Sequence, residues 1–264
     1  MKVKTALAKV EGFLVDKDTR PGILARQIGS REKPGDARLT EILASERRAR
    51  TKMDGSVDGS VVRTAWAAWE MMDLGADPTH GGLDRLVSWI LTQVEAGAAP
   101  SDPAPLTLPN GAVIADAEGA AFAARMLGLR LLIRARKEAR PAIARLLDAL
   151  ATGPQPPTLD LSACALAALA LVPPPHRHHL DGLINRLGRA QNDTGDWTET
   201  DLFLMLEALV LAGIRPARAV VSKAAQALAA LLRDDGSFDD PPHSDAHEER
   251  ALIGLRALRI AVED

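Results

Sequence analysis

The stretch Gln191–Trp197, with the sequence QNDTGDW, decides the fold that we assign to this chain. It is short, polar and turn-forming, and it lies between two long runs rich in leucine and alanine. It ends in one of four tryptophans, although aromatic residues make up only 3% of the chain and tyrosine is absent. A turn that ends in a large apolar ring is typical of a joint between packed helices.

Composition and charge bound the class of protein. The 264 residues are 47% apolar and 25% charged, and their formal net charge is -3. These are ordinary globular values, and the charge predicts no nucleic-acid partner. The single cysteine, Cys164, excludes an internal disulfide and a cysteine-rich zinc site. No apolar run reaches transmembrane length and no signal-peptide pattern is found, so we expect a cytoplasmic protein.

Glycine-marked turns recur along the chain. Five of them follow one another at spacings of 42, 56, 42 and 41 residues: Gly55, Gly97, Gly153, Gly195 and Gly236. The long interval contains a proline-rich insert at 98–112, without which it also falls near 42. A constant period of this size predicts one supersecondary unit, repeated. We expect the insert to be a tolerated surface insertion, although irregular loops of this length are often functional.

Each repeat is predicted to be a pair of amphipathic helices, because apolar residues recur every three or four positions. Alanine and leucine dominate and β-branched residues are sparse, which favours an all-α fold. The pattern predicts one domain over residues 1–264, with about twelve helices at 3–15, 20–29, 36–52, 60–74, 80–96, 114–135, 138–151, 159–172, 176–190, 199–212, 216–233 and 244–262.

Six helix hairpins with this period fit either an open HEAT-like α-solenoid or a closed α/α toroid. The motif Gln-x-x-x-Gly-x-Trp at Gln191, Gly195 and Trp197 resembles the QW repeat of terpenoid cyclases and protein prenyltransferases. Degraded versions lie at 93–97, 235–238 and 54–57. The resemblance covers about residues 40–262 and implies an α/α toroid of about six hairpins around a central cavity. Both the residue chemistry and the resemblance give the motif a structural role as a brace between helices.

The resemblance further implies a cavity that accepts an apolar, isoprenoid-like ligand. The side chains that we expect to line it are Trp66, Trp69, Met72 and Phe203. The first three recur at three-residue spacing on one predicted helix, and ordinary core packing is the alternative explanation.

The catalytic signatures of the resembling family are missing. The Asp-x-Asp-Asp motif of protonating cyclases has no match, and the nearest clusters, at 54–58 and 235–240, differ in spacing and lie in turns. Cys164 lacks the Asp-x-Cys spacing of the prenyltransferase zinc site. We therefore assign no catalytic residue and leave open whether the protein is an enzyme. Two alternatives remain: a terpenoid- or prenyl-processing enzyme with a non-standard acid, and a protein-binding helical-repeat scaffold. An inward-facing carboxyl with a raised pKa would favour the first, and a large exposed apolar patch the second.

The segment His243–His247 is the best metal candidate in the sequence. In an extended chain His243, Asp245 and His247 share one face and could hold a divalent ion such as Zn²⁺. A polar loop that caps the last helix explains the same residues, and we predict no cofactor.

A series of basic residues between Arg125 and Arg145 could receive a diphosphate or an acidic partner. We expect it instead to form a solvated outer face.

Overall fold

The computed structural model describes residues 2–79, 81–96, 102–173, 180–238 and 246–263. Within these ranges the chain forms twelve α-helices and a single two-stranded sheet, which confirms the predicted all-α class. Helices α1 to α12 span Val3–Val15, Arg20–Ile28, Asp36–Ala49, Val61–Asp73, Gly81–Glu95, Ala117–Arg134, Pro141–Thr152, Leu159–Leu169, Leu180–Ala190, Leu202–Ala212, Arg215–Ala230 and His247–Glu263. Strands β1 (Leu106–Thr107) and β2 (Val113–Ile114) form an antiparallel hairpin.

The even-numbered helices form an inner layer. Helix α8 is buried at every position from Leu161 to Leu169, whereas α9 buries only a stripe of Leu180, Leu183, Ile184 and Leu187. A helix that is apolar all round needs neighbours on every side, and a striped helix needs them on one side. In four even-numbered helices, a side chain caps the first turn: Ser60, Asp116, Thr158 and Asp201.

The even-numbered helices contact one another in chain order, from α4 through α6, α8 and α10 to α12. Helix α12 also contacts α2, and α2 contacts α4, so the series of contacts returns to its starting point. Most odd-numbered helices pack against this layer, α3 on α4, α5 on α4 and α6, α9 on α8, and α11 on α10 and α12, whereas α7 packs on α5. Helix α1 packs on α12 and α2, and it also contacts α11. No helix in the described ranges is both long enough and apolar enough to cross a membrane.

Three turns share one backbone hydrogen-bond pattern, at residues 52–56, 192–196 and 233–237. In each, the first N–H donates to the fifth carbonyl, and the glycine N–H donates to the first carbonyl. The glycines have φ angles of 91°, 87° and 89°, a left-handed conformation that strains any other residue: Gly55, Gly195 and Gly236.

Each of these turns packs against the backbone of an odd-numbered helix. Gly55 lies against Arg85 of α5, and Gly195 lies against Lys223 of α11. Gly236, the glycine of the last turn, lies against Lys9 of α1. The last turn therefore meets the first helix in the same way as the internal turns meet later helices.

Two of the predicted period points differ from these turns. Gly153 has an extended backbone, with φ of -77° and ψ of 178°, so its predicted equivalence to the other turn glycines is wrong. Gly97 lies outside the described residues. The same turn occurs instead at 108–112, where Gly111 has a φ of 84° and the same two hydrogen bonds are present. This turn precedes α6 as the others precede α4, α10 and α12, which makes it the structural counterpart in its repeat.

The prediction of a surface insertion is wrong for the hairpin part of the insert. Alternate side chains of the hairpin are turned inward and at most 7% exposed: Leu106, Leu108, Asn110, Ala112 and Ile114. The physical reason is the period-two alternation of a hairpin, which places these five side chains on one face. Residues 98–101 of the insert lie outside the described ranges.

Candidate functional site

A cleft of about 1250 Å³ opens where the N-terminal ends of α2, α4 and α12 meet. Its walls also include residues of α1 and α3 and of the segments that follow these helices, the hairpin residues 107–109, and the turns at 57–58 and 233–237. Six lysine and arginine side chains and five carboxylates line the cleft, together with apolar groups that include Trp66 and Leu108. The cleft is therefore amphipathic, and its charged groups decide what it can bind.

Arg20 forms the base of the cleft and is only 3% exposed. Its guanidinium pairs with the carboxylates of Asp73 and Glu249, and its Nε lies 3.7 Å from Oε1 of Glu70. It also lies over the ring of Trp66, 4.9 Å from the ring centroid. Burial opposes the charge, but Glu249 and Asp73 outweigh it and raise the pKa of Arg20 above its ordinary value.

Glu249 and Glu70 are the two buried carboxyls that line the cleft in the described ranges, and Glu249 is the one whose pKa is shifted. Burial raises its pKa above the ordinary glutamate value, and the attraction of Arg20 only partly opposes this shift. An inward-facing carboxyl of this kind is the feature expected of a non-standard acid.

A second charged layer lies deeper, between α6, α10 and α12. Arg130 pairs with Glu207 at 2.6 Å, and Arg250 pairs with Asp201 at 2.6 Å. Asn110, at the tip of the hairpin, joins the two pairs. Its Nδ2 donates to Glu207 at 2.8 Å, and its carbonyl accepts from Nε of Arg250 at 2.9 Å. The tip of the hairpin is thereby held between the even-numbered helices.

Only small voids accompany these charged layers in the described part of the inner layer. One void of about 30 Å³ is lined mainly by apolar side chains, among them Met126 and Leu204, and shares Trp66, Leu108 and Pro109 with the cleft. Another, of about 20 Å³, lies between Arg20 and Arg130. Neither void is large enough for a prenyl chain, whereas the cleft beside them is. Two further pockets, of about 550 and 460 Å³, lie near α9 and the segment 153–157.

Two of the predicted cavity-lining residues lie at these spaces. Trp66 is half-buried and lines the cleft and both voids. Trp69 is 7% exposed and lines the smaller void, with the guanidinium groups of Arg130 and Arg134 at 4.0 and 4.2 Å from its ring centroid. The structure therefore places both tryptophans next to arginine side chains, and Trp66 also lines the mainly apolar 30 Å³ void.

The other two predicted cavity residues are packing residues. Met72 is half-buried against the hydrophobic core. Phe203 is 2% exposed and packs edge-on against Phe238, with ring centroids 5.0 Å apart. The guanidinium of Arg250 lies 4.7 Å from the centroid of the Phe203 ring.

The residues of the Gln-x-x-x-Gly-x-Trp motif connect three elements. Gln191 donates from Nε2 to the carbonyls of Gly195, at 2.8 Å, and of Val220 in α11, at 3.1 Å. Trp197 is 2% exposed, and its Nε1 donates to the carbonyl of Leu187 at 2.8 Å. Leu187 belongs to the last turn of α9, where carbonyls lack a partner within the helix.

The turn aspartates have the opposite electrostatics to Glu249. Asp54 accepts hydrogen bonds from the backbone and hydroxyl of Ser56, and Asp235 accepts the same pair from Ser237. These hydrogen bonds lower the pKa of both carboxyls, so both remain ionised at neutral pH.

The predicted metal site falls only partly within the described structure. His243 and Asp245 lie outside the described residues, while His247 begins α12 and lines the cleft. Among the residues that the structure describes, no three His, Cys, Asp or Glu side chains are grouped as metal ligands. Cys164 is buried beside the larger void, and burial raises the pKa of its thiol to about 12.

The sequence analysis missed the buried charged residues of the inner helices. The expected solvated outer face is wrong for Arg130 and Arg134, which turn toward Glu207 and Asp73. The available signal is a single charge within an apolar helical run, as in LGLRLLIR around Arg130 and FLMLEALVL around Glu207. Such residues are rarely buried unless they are paired, and an unexplained pair of them predicts an interior ion pair.

Comparison with known proteins found no matching protein-family model and no matching curated protein. The function that follows is therefore argued from the cleft and its charges.

Proposed function

We propose that the chain closes into an α/α ring of six hairpins, and that the cleft at its mouth binds an amphipathic, isoprenoid-like ligand with an anionic end. Closure is supported by the contacts of α12 with α2 and of α1 with α11 and α12. It is further supported by the shared turn geometry, which joins Gly236 to Lys9 as it joins Gly195 to Lys223. An open solenoid has no reason to place its last turn on its first helix.

The observation that carries the ligand proposal is that one cleft combines an apolar surface, formed by Trp66 and Leu108, with a cationic rim, formed by Lys17, Arg47 and Arg50. Trp66 and Leu108 offer an apolar surface at the base, and Arg47, Arg50 and Lys17 lie around it. Arg50 is exposed, and neither Arg50 nor Lys17 forms an ion pair within the described ranges. An anionic group can therefore bind them without breaking an existing pair, and guanidinium groups suit phosphate oxygens well.

The hairpin limits how deep the apolar end can reach. Leu108 and Pro109 lie between the cleft and the 30 Å³ void, and Asn110 fixes them through Glu207 and Arg250. The apolar end of the ligand therefore lies along Trp66 inside the cleft, and each buried methylene there contributes about 0.8 kcal/mol.

Calorimetric titration tests this proposal with three probes: a ten-carbon isoprenoid diphosphate, the corresponding alcohol and inorganic diphosphate. We expect the complete molecule to bind at least about tenfold more tightly than either fragment, a difference of about 1.4 kcal/mol. Equal affinities for the isoprenoid alcohol and the isoprenoid diphosphate would overturn the proposal that the cationic rim binds an anionic group.

Two variants with matched controls locate the site. Arg50→Ala should weaken binding of the isoprenoid diphosphate and leave the affinity for the alcohol unchanged. The neighbouring Arg48→Ala should change neither affinity. Trp66→Leu should weaken both isoprenoids, and Trp89→Leu, on the outer helix α5, should weaken neither. If the control variants alter affinity as much as Arg50→Ala and Trp66→Leu, the ligand binds elsewhere.

Proton transfer is a second candidate function, favoured by the raised pKa of Glu249 at the base of the cleft. On this proposal Glu249 donates its proton to the bound ligand. Glu249→Gln should then abolish product formation while the ligand still binds, and Glu248→Gln, a change at the next cleft residue, should preserve turnover. Product formation by a folded Glu249→Gln variant would exclude this role.

The protein-binding alternative has less support. Among the described residues, the large apolar side chains that are exposed are Ile42, Met53 and Val113, on α3, a turn and β2. Three separate side chains are normal for a monomeric protein and do not form a docking patch.

A further inference from the structure

We propose that the 20 Å³ void inside the inner layer binds one monovalent inorganic anion, such as chloride. The void lies between α2, α4, α6, α10 and α12, and it adjoins the ligand cleft, with which it shares Arg20, Trp66 and Glu249. It is large enough for one water molecule or one small ion. Three guanidinium groups line it, those of Arg20, Arg130 and Arg256, together with two carboxylates, those of Glu207 and Glu249.

Two of these arginines have a donor without an acceptor. Arg20 and Arg130 are 3% and 6% exposed, and the Nε atom of each is buried without a hydrogen-bond partner. The nearest carboxylate to Nε of Arg20, that of Glu70, lies at 3.7 Å, which is too far for a hydrogen bond. Buried donors in native proteins are nearly always satisfied, so a bound acceptor is expected beside them.

Arg256 supplies the third guanidinium. It is half-buried and lines the void, and it forms no hydrogen bond or ion pair within the part of the chain that the structure describes. Burial lowers its pKa below the ordinary arginine value, which shows that nearby carboxylates do not compensate for its lost hydration. An anion at the void would provide this compensation.

The charge balance of the surrounding network favours an anion over a water molecule. Five arginines face four carboxylates in this network: Arg20, Arg47, Arg130, Arg134 and Arg256 against Glu70, Asp73, Glu207 and Glu249. With all four carboxylates ionised the excess is one positive charge, and protonation of Glu249 would make it two, so a monovalent anion reduces the excess in either state. A buried charge without a partner is strongly unfavourable. The void is too small for a phosphate ester or an organic carboxylate, which leaves a small monovalent ion.

Diffraction from crystals grown in bromide, recorded at the bromine absorption edge, tests this site in the unaltered protein. We expect an anomalous peak between Arg20, Arg130 and Arg256. A peak-free void that holds only ordinary water density would overturn the proposal, whatever the variants below show.

Thermal unfolding provides an independent measurement. Replacing gluconate by chloride at constant ionic strength should raise the melting temperature along a saturating curve, because an ion that binds only the folded state stabilises it. Arg256→Gln should remove this chloride dependence, whereas Arg259→Gln, an exposed position on the same helix, should retain it. An equal chloride dependence in both variants would contradict the site.

Discussion

Replacing Gly236 by alanine tests whether the chain closes on itself. Gly236 has a φ of 89°, and a Cβ placed on it would lie closer than 3.0 Å to the Lys9 carbonyl and 2.9 Å from Cβ of Phe13. The left-handed backbone costs alanine about 1–2 kcal/mol. Displacing the backbone of α1 adds about 1–3 kcal/mol, as overpacking does in a dense core.

We therefore expect Gly236→Ala to lower the free energy of unfolding by about 3 kcal/mol, with a melting temperature lower by roughly 6–12 °C. Gly75→Ala is the matched control, because Gly75 has a φ of 84° and an open space of 4 Å around its Cβ position. It should lose only the backbone term, about 1 kcal/mol. Gly195→Ala, at the internal joint on Lys223, should match Gly236→Ala.

Urea unfolding followed by circular dichroism measures all three variants. The comparison isolates the steric contact, since the backbone strain is nearly the same at the three positions. The contact between the last turn and α1 is absent if Gly236→Ala loses no more stability than Gly75→Ala while Gly195→Ala loses much more. Closure of the ring would then be refuted.

Three further predictions concern single side chains. Burial and the charge of Asp201 raise the pKa of Asp160 to about 6, so the native state disfavours its ionised form. Stability should therefore decrease as the pH rises from about 4 to 6, because the native state holds this proton more tightly than the unfolded state. Asp160→Asn should be more stable than the unaltered protein by about 1 kcal/mol above pH 6, after allowance for solvent screening. A gain that persists at pH 4 would contradict this cause. Trp197→Phe removes the donor to Leu187 and part of a buried ring, and should lower the free energy of unfolding by about 2–4 kcal/mol, measured as a lower urea midpoint; an unchanged midpoint would show that the joint does not depend on Trp197. Asn110→Ala should leave the fold intact but accelerate amide exchange in the hairpin about tenfold or more, because a hydrogen bond to a charged group is lost; exchange at the original rate would mean that the tip is held by packing alone.

The helices and three of the turns could be predicted because their signals are local. Each predicted helix has a counterpart in the structure, because the buried face of a helix is formed by residues three and four positions apart in the sequence. Gly55, Gly195 and Gly236 follow from the same local logic. Gly153 does not, because a glycine in the sequence does not reveal its φ angle, and the turn before α6 lies at Gly111 in the insert, which the period does not predict.

The charged layers could not be predicted because their partners are distant in sequence. Arg20 pairs with Glu249 across 229 positions, and Arg250 binds the carbonyl of Asn110 across 140. Period and composition carry no information about such pairs. A charge within an apolar helix shows that a partner exists but not which residue it is.

The docking of the Gly236 turn on α1 restricts how proteins of this design can change in length. An open repeat array can gain or lose a hairpin at little cost, because each unit contacts only its neighbours. On the proposed closure, a chain whose final turn packs on its first helix has a fixed number of hairpins, because an added hairpin would separate these two elements. Length can vary only between the hairpins, and here the extra residues of the insert have become part of the interior. New specificity in such a protein would therefore arise by lengthening or shortening the hairpin rather than by duplicating a repeat.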